Sequence, residues 1–234
     1  MDEALTPAED AIDSMVTSFA NRCAFRGRSV FVAWNGVLTL AYSGWPEGLV
    51  HFKASLEMAI PGIQRENPGS KWPKTSLGCI REESRALSAA EYEKLRRLCE
   101  EFENAAKQLR VKAHRLSVVV FASRCCERRM SVKNIDIPGD ELDVYSEVSE
   151  DSLRLVEDVL KETEAAEYLE YVNRAGHRAA HYDNGSGVTL VQDCGETLQS
   201  FVEEFKAKVD ELLPGVYRWF DTNALHVTVR GLVN

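Results

Sequence analysis

Two stretches of this chain repeat one order of elements, strand then helix then short polar strand, and that repetition limits the folds open to it. In the first, Val37–Tyr42 is β-rich, Leu49, Phe52, Leu56 and Ile60 recur at helical spacing, and Lys74–Ile80 is a second strand. In the second, Val188–Val191 is a strand and the helix Glu196–Leu213 aligns Leu198, Phe201, Val202, Phe205, Val209 and Leu212 on one face. Strands Tyr217–Phe220 and Leu225–Leu232 close it. Apolar helix stripes must be buried against sheets, so an α+β fold is expected, each unit ending in a polar strand able to face a shared cleft.

Turn residues punctuate these elements. Asn35-Gly36 between Ser29–Trp34 and Val37–Tyr42 is the strongest hairpin signal, while Pro61-Gly62 and Pro214-Gly215 stop helices. Ser88 and Glu91 have capping-box spacing, opening a long helix over about residues 88–110 with Tyr92, Leu95, Leu98, Cys99 and Phe102 inward. The apolar run Leu116–Ala122 follows as a buried strand. An N-terminal helix over 8–23 carries Ile12, Met15, Val16 and Phe19, with Thr6 as N-cap. Residues 124–186 break the rhythm: Arg124–Arg129 is charged, Asp140–Asp158 acidic, Tyr168–Arg174 a short helix. The chain therefore divides into lobe one at about 29–123, an insertion at about 124–186 and lobe two at about 187–234, all in one domain.

Charge and cysteine usage narrow the function. A net charge of -9 repels a phosphate backbone at long range and disfavours non-specific nucleic-acid binding, although a local basic pocket is screened from it over about 10 Å. Six cysteines without C-x-x-C spacing read as reduced thiols, and an acidic N-terminus without a signal-peptide pattern fits a cytoplasmic or nuclear protein. No run approaches the roughly 18 apolar residues that span a bilayer, so no membrane partner is expected.

The polar strands carry the chemistry. Alternation puts His226, Thr228 and Arg230 on one face, with Val227 and Val229 on the other. Imidazole, hydroxyl and guanidinium together make an anion site with a proton carrier. In Lys74-Thr75-Ser76-Leu77, Lys74 and Ser76 repeat the cation-plus-hydroxyl arrangement at the same point of the other unit. A lysine at a strand start is otherwise an edge guard.

These paired strands resemble the two-histidine phosphoesterase superfamily of RNA ligase-like proteins and cyclic nucleotide phosphodiesterases. Leu225-His226-Val227-Thr228-Val229 is similar to that family's second His-x-Thr/Ser motif, and Lys74-Thr75-Ser76-Leu77-Gly78 to its first, with lysine where the family has histidine. The resemblance covers about residues 29–123 and 187–232. It implies two pseudo-symmetric lobes of antiparallel sheet with outer helices around a central cleft, plus the insertion. The interval between motifs is long and little follows the second, so the chain is expected to be a fragment or to lack the family's last strands.

The resemblance also implies a site without metal or organic cofactor. His226 and Lys74 stand at the catalytic positions, and Ser76, Thr228 and Arg230 hold the phosphate of a small phosphorylated ligand or RNA end. A histidine titrates near neutrality, whereas a lysine with its pKa of about 10.4 is a poor base unless desolvated. Two outcomes stay open: a one-histidine phosphodiesterase, and a pseudoenzyme that binds a phosphodiester, cyclic phosphate or nucleotide without turnover. The alternative is an interaction module that binds a protein partner through the insertion or the 88–110 helix.

Weaker candidates accompany these. His177 and His181 have metal-binding spacing but no glutamate follows the first, and Asp183–Gly187 lacks phosphate-loop spacing. Trp72, Tyr42 and Trp219 are placed to stack on a base. Cys125-Cys126 is expected as a strand-end pair, one in and one out.

Overall fold

The computed structural model describes residues 6–60, 63, 66, 71–139, 147–176, 178–182 and 185–233. Pro61-Gly62, Pro68-Gly69, His177 and Asp183-Asn184, together with the Phe19 side chain, lie outside the described residues. Helix α1 (Thr6–Phe19) precedes β1 (Cys23–Ala33), which turns into β2 (Val37–Tyr42) with Ala33 opposite Val37. The turn is built on backbone sign: Asn35 has φ 61 and Gly36 φ 75, a region these residue types enter most readily. A Cβ on Gly36 would also fall 2.3 Å from Ile80 Cδ1.

Helix α2 (Glu47–Ala59) buries Leu49, Phe52 and Leu56 and leads to β3 (Lys74–Ile80). Helix α3 (Ala89–Glu101) starts on the expected capping box, with both reciprocal Ser88 and Glu91 bonds present. The expected single helix over 88–110 is interrupted at Phe102, whose ring packs edge-on to Phe201 and Phe205 at centroid distances of 5.9 and 5.1 Å. The short α4 (Glu103–Gln108) then leads to β4 (Arg110–Ala113) and β5 (Arg115–Phe121). Strand β6 (Arg129–Asp136), α5 (Glu150–Glu162) and α6 (Tyr168–Val172) occupy the stretch read as an insertion. Strand β7 (Gly187–Asp193), α7 (Gly195–Leu212), β8 (Tyr217–Trp219) and β9 (His226–Val233) complete the order.

The strands form two antiparallel sheets, β4-β1-β2-β3-β8 and β6-β5-β7-β9, with helices around them: an α+β fold of two lobes. The expected lobe boundaries do not follow the sheets. β5, counted with lobe one, lies inside the second sheet, and β8, counted with lobe two, pairs with β3 in the first. Long-range pairing decides that assignment, and no local residue pattern encodes it. Within the stretch 124–186, β6 sits at an edge of the second sheet.

One apolar core joins the lobes. It takes Leu38, Leu40 and Tyr42 from β2, Leu116 and Val118 from β5, and Val227 and Val229 from β9, under the stripes of α1, α2, α3 and α7. A smaller cluster of Phe31, Ala41, Trp72 and Val156 lies on the other face of the first sheet, where α5 packs. β2 is thus buried on both faces, which suits its apolar sequence. Among the described residues no helix is long and apolar enough to cross a membrane.

Candidate functional site

The sheets meet where β3 approaches β9, so the strands carrying the two motifs are neighbours. β8 pairs only with Gly78–Ile80 of β3, leaving the Lys74–Leu77 half clear of it. Gly78 permits that pairing, because a Cβ there would lie 2.7 Å from the Arg218 carbonyl oxygen. Beyond β8, the Phe220 N–H donates to the Leu77 carbonyl at 3.0 Å, and a 3-10 turn at Thr222–Ala224 delivers the chain into β9.

On β3, alternation separates the side chains as expected. Thr75 points to the core, where its hydroxyl lies 2.9 Å from the Tyr42 hydroxyl and 3.4 Å from Cys194 Sγ. Lys74 and Ser76 point the other way, into a cavity of about 470 Å³. Its floor includes Thr39, its roof Val159 and Glu162 of α5, and its walls Trp34, Trp72 and Tyr168. Lys74 Nζ lies 4.3 Å from the Trp72 ring centroid, and Trp72 packs 6.1 Å from Phe31. Burial lowers the Lys74 pKa from 10.5 to about 8, which brings this ammonium close to neutral titration.

His181 is the cavity residue that sequence reasoning did not place there. It comes from a 3-10 turn, Ala179–His181, whose carbonyl accepts from Cys125 N at 2.8 Å. Burial, together with the positive charges of Arg124 and Lys74, lowers its pKa from 6.5 to about 4, so it is neutral at pH 7. The turn is anchored by Glu82, whose carboxylate accepts from Gly176 N at 2.7 Å and Ala179 N at 3.0 Å. Arg178 is 1 % exposed, with its Nε donating to the Asn35 carbonyl at 3.1 Å. A His-rich segment was visible in the sequence, but its docking onto β3 depends on these distant contacts.

The β9 half-site has a different character. His226 Nδ1 lies 2.7 Å from the Ala224 carbonyl, which can only accept, so Nδ1 carries the proton and Nε2 presents a lone pair. That Nε2 faces Cys126 Sγ at 3.9 Å. Burial lowers the His226 pKa, opposed by the Ala224 bond, and the charges acting on the ring are Arg129 and Asp193, themselves paired at 2.6 Å. Lys74 acts on His181 instead. Thr228 is half-buried, and Arg230 is 2 % exposed, so its guanidinium lies inside the protein and not on an open cleft wall.

The structure thus brings Lys74 and Ser76 together in one cavity and His226, Thr228 and Arg230 along one strand. His226 is covered by the turn after β5, because that turn folds back through Cys126 at φ 60. Cys125 and Cys126 are both buried, correcting the expected in-and-out pair: Cys125 joins the main core and Cys126 a cluster with Val119, Phe121 and Val191. Burial raises the Cys126 thiol to about 12, so it remains protonated and can donate toward His226. Among the described residues no group of three or more His, Cys, Asp or Glu side chains could hold a metal ion. Tyr42 is fully buried, and Trp219 donates from Nε1 to Asp210 at 2.9 Å, which leaves Trp72 as the anticipated aromatic that lines the cavity. No protein-family model, curated protein or solved structure matches this chain.

Proposed function

We propose that this chain is a divergent two-histidine phosphoesterase-like protein that binds a cyclic phosphate, phosphodiester or nucleotide beside Lys74. The observation that carries the reading is the Lys74 cavity: a desolvated ammonium, the hydroxyl of Ser76, and flat rings at Trp34, Trp72 and Tyr168 line one space of about 470 Å³. A phosphate needs the cation and hydroxyl, and a base needs the rings. The volume falls within the usual range for small-ligand sites, about 300–1,000 Å³.

Lys74, titrating near 8, suits charge stabilisation or proton donation to a leaving oxygen. His181 is the neutral imidazole lining the same cavity and can accept hydrogen bonds there, its pKa of about 4 making it a weak base. His226 keeps its bare Nε2 behind Cys126, so catalysis through His226 requires the Cys126 turn to move aside. Buried thiols fit a reducing compartment, cytoplasmic or nuclear.

The interaction-module reading has one observation in its favour: α5 already packs on the Lys74 face of the first sheet through Val156. Calorimetry with a nucleoside 2′-phosphate and a 2′,3′-cyclic phosphate separates the two. Binding by wild type, weakened about tenfold or more by Lys74→Ala, is expected. Absence of binding to every phosphoester in the panel leaves the interaction module in possession.

A further inference from the structure

Helix α5 roofs the Lys74 cavity but is thinly seated. Of its 13 residues only Val156 is fully buried, with Leu155, Val159 and Leu160 partly so. The Lys74 cavity lies on the side of Val159 and Glu162. A second cavity, of about 500 Å³, lies on the side of Asp158 and Lys161, toward Tyr92 and Cys99 of α3. Phe31 lines both, so Val156 and its neighbours stand on a ridge with a cavity on either flank. A helix seated in this way gains little from apolar burial and opens more readily than the core elements.

Polar bonds hold it instead. At its N-terminal end the Trp45 N–H donates to Ser152 Oγ at 2.7 Å, the Glu47 N–H donates to the Glu147 carbonyl at 2.9 Å, and Pro46 bridges to Val148. In the middle, Arg28 donates from Nε and Nη2 to the two carboxylate oxygens of Glu157 at 2.6 and 3.0 Å, and from Nη1 to Glu103 of α4 at 2.8 Å. Beyond Glu157, among the described residues, the end of α5 bonds outside itself only to the turn that follows, at Thr163, Glu164 and Ala165. The reach of Arg28 comes from the sheet. Gly27 pairs with Tyr42 and Ser29 with Ala41, which makes Arg28 the extra residue of a β-bulge, left out of the ladder and re-aimed off β1.

We infer that α5 is a lid on the Lys74 cavity, hinged at Ser149–Ser152 and latched by Arg28 to Glu157. Releasing the latch frees the turn that carries Val159 and Glu162, and the Lys74 amine becomes reachable from solvent. The latch is partly exposed, at 27 % for Arg28 and 51 % for Glu157, so salt screens it and an incoming anion competes for Arg28. The lid governs entry whatever the cavity binds, and its test needs no ligand.

Acetylation of Lys74 by an amine-directed reagent at pH 8, read by peptide mass spectrometry, measures the opening. A pKa of about 8 leaves much of this amine neutral there, so reach is the obstacle that remains. Arg28→Met and Glu157→Gln should each raise the acetylation rate about fivefold or more over wild type, the effect of losing a bidentate pair. Amide hydrogen exchange should rise in α5 to match and stay at wild-type rates in α7 and β9. Raising salt from about 0.05 M to about 0.5 M should speed Lys74 acetylation in wild type and add nothing in Arg28→Met. The inference is overturned by a rate unchanged in either variant, by a wild-type rate indifferent to salt, or by exchange that rises equally in α7 and β9, which is the mark of general destabilisation.

Discussion

Replacing Lys74 by Met should stabilise the protein at neutral pH. Burial lowers the Lys74 pKa from 10.5 in the unfolded chain to about 8 in the fold. Between those values the unfolded chain holds a proton that the folded chain has released, so stability rises with pH across that window and the penalty is complete below it. At 1.36 kcal/mol per tenfold, the penalty at pH 7 is roughly 3 kcal/mol. The ammonium's contact with the Trp72 ring at 4.3 Å offsets about 1 kcal/mol of this, leaving a gain of about 2 kcal/mol for Lys74→Met. Methionine matches the length of the stem and needs no water. Urea unfolding of both proteins at pH 7 and pH 9.5 is the assay. The gain should shrink to less than half at the higher pH, where wild type folds with a mostly neutral amine. A variant less stable than wild type at pH 7, or one with the same difference at both pH values, would refute the desolvation argument.

His181 should make the fold acid-sensitive. Its folded pKa of about 4 lies below the ordinary 6.5, so the unfolded chain gains a proton in that window and stability falls as pH drops through it. Wild type should lose roughly 2 kcal/mol from this group between pH 7 and 4.5, and His181→Gln should lose correspondingly less in urea midpoints at the two pH values. Gly195→Ala would set a Cβ 1.9 Å from the Thr222 carbonyl oxygen and push on the turn that holds Ala224 against His226. Such overpacking costs about 2 kcal/mol and should lower Tm by about 4–8 °C, with a shift in the His226 ring NMR signals. An unchanged Tm would contradict the close contact.

Sequence reading recovered what short-range rules control. The Asn35-Gly36 turn, the Ser88 capping box and the bounds Lys74–Ile80 follow from backbone sign, capping geometry and period-two alternation. Helix α5 was missed: Ser149 caps it and Leu153, Val156 and Leu160 follow at helical spacing, but its acidic composition masked the stripe. β4 was not recovered because it is only four residues long and starts where the 88–110 helix was expected to end, and β6 because, as an exposed edge strand, it buries almost none of its residues. The alternation on β3, with Thr75 inward and Lys74 and Ser76 on the other face, was legible within that strand. That Lys74 meets His181, and that Cys126 covers His226, depends on turns folding across long sequence separations, which side-chain periodicity does not report.

The exchange of strands between the lobes has a mechanical consequence. β8 is hydrogen-bonded into the first sheet and β9 into the second, with only Phe220–Leu225 between them, and Thr75 of the first sheet touches Cys194 at the start of α7. A clamshell motion would have to tear β8 from β3 or stretch that six-residue tether, so the two sheets behave as one girder. Access to Lys74 must then be governed by what lies across the sheet: α5, seated through Val156, and the turn that bears His181. A tether between those two segments, such as a crosslink from α5 to the His181 turn, would therefore slow ligand exchange at Lys74, whereas a crosslink between β3 and β9 would leave it unchanged.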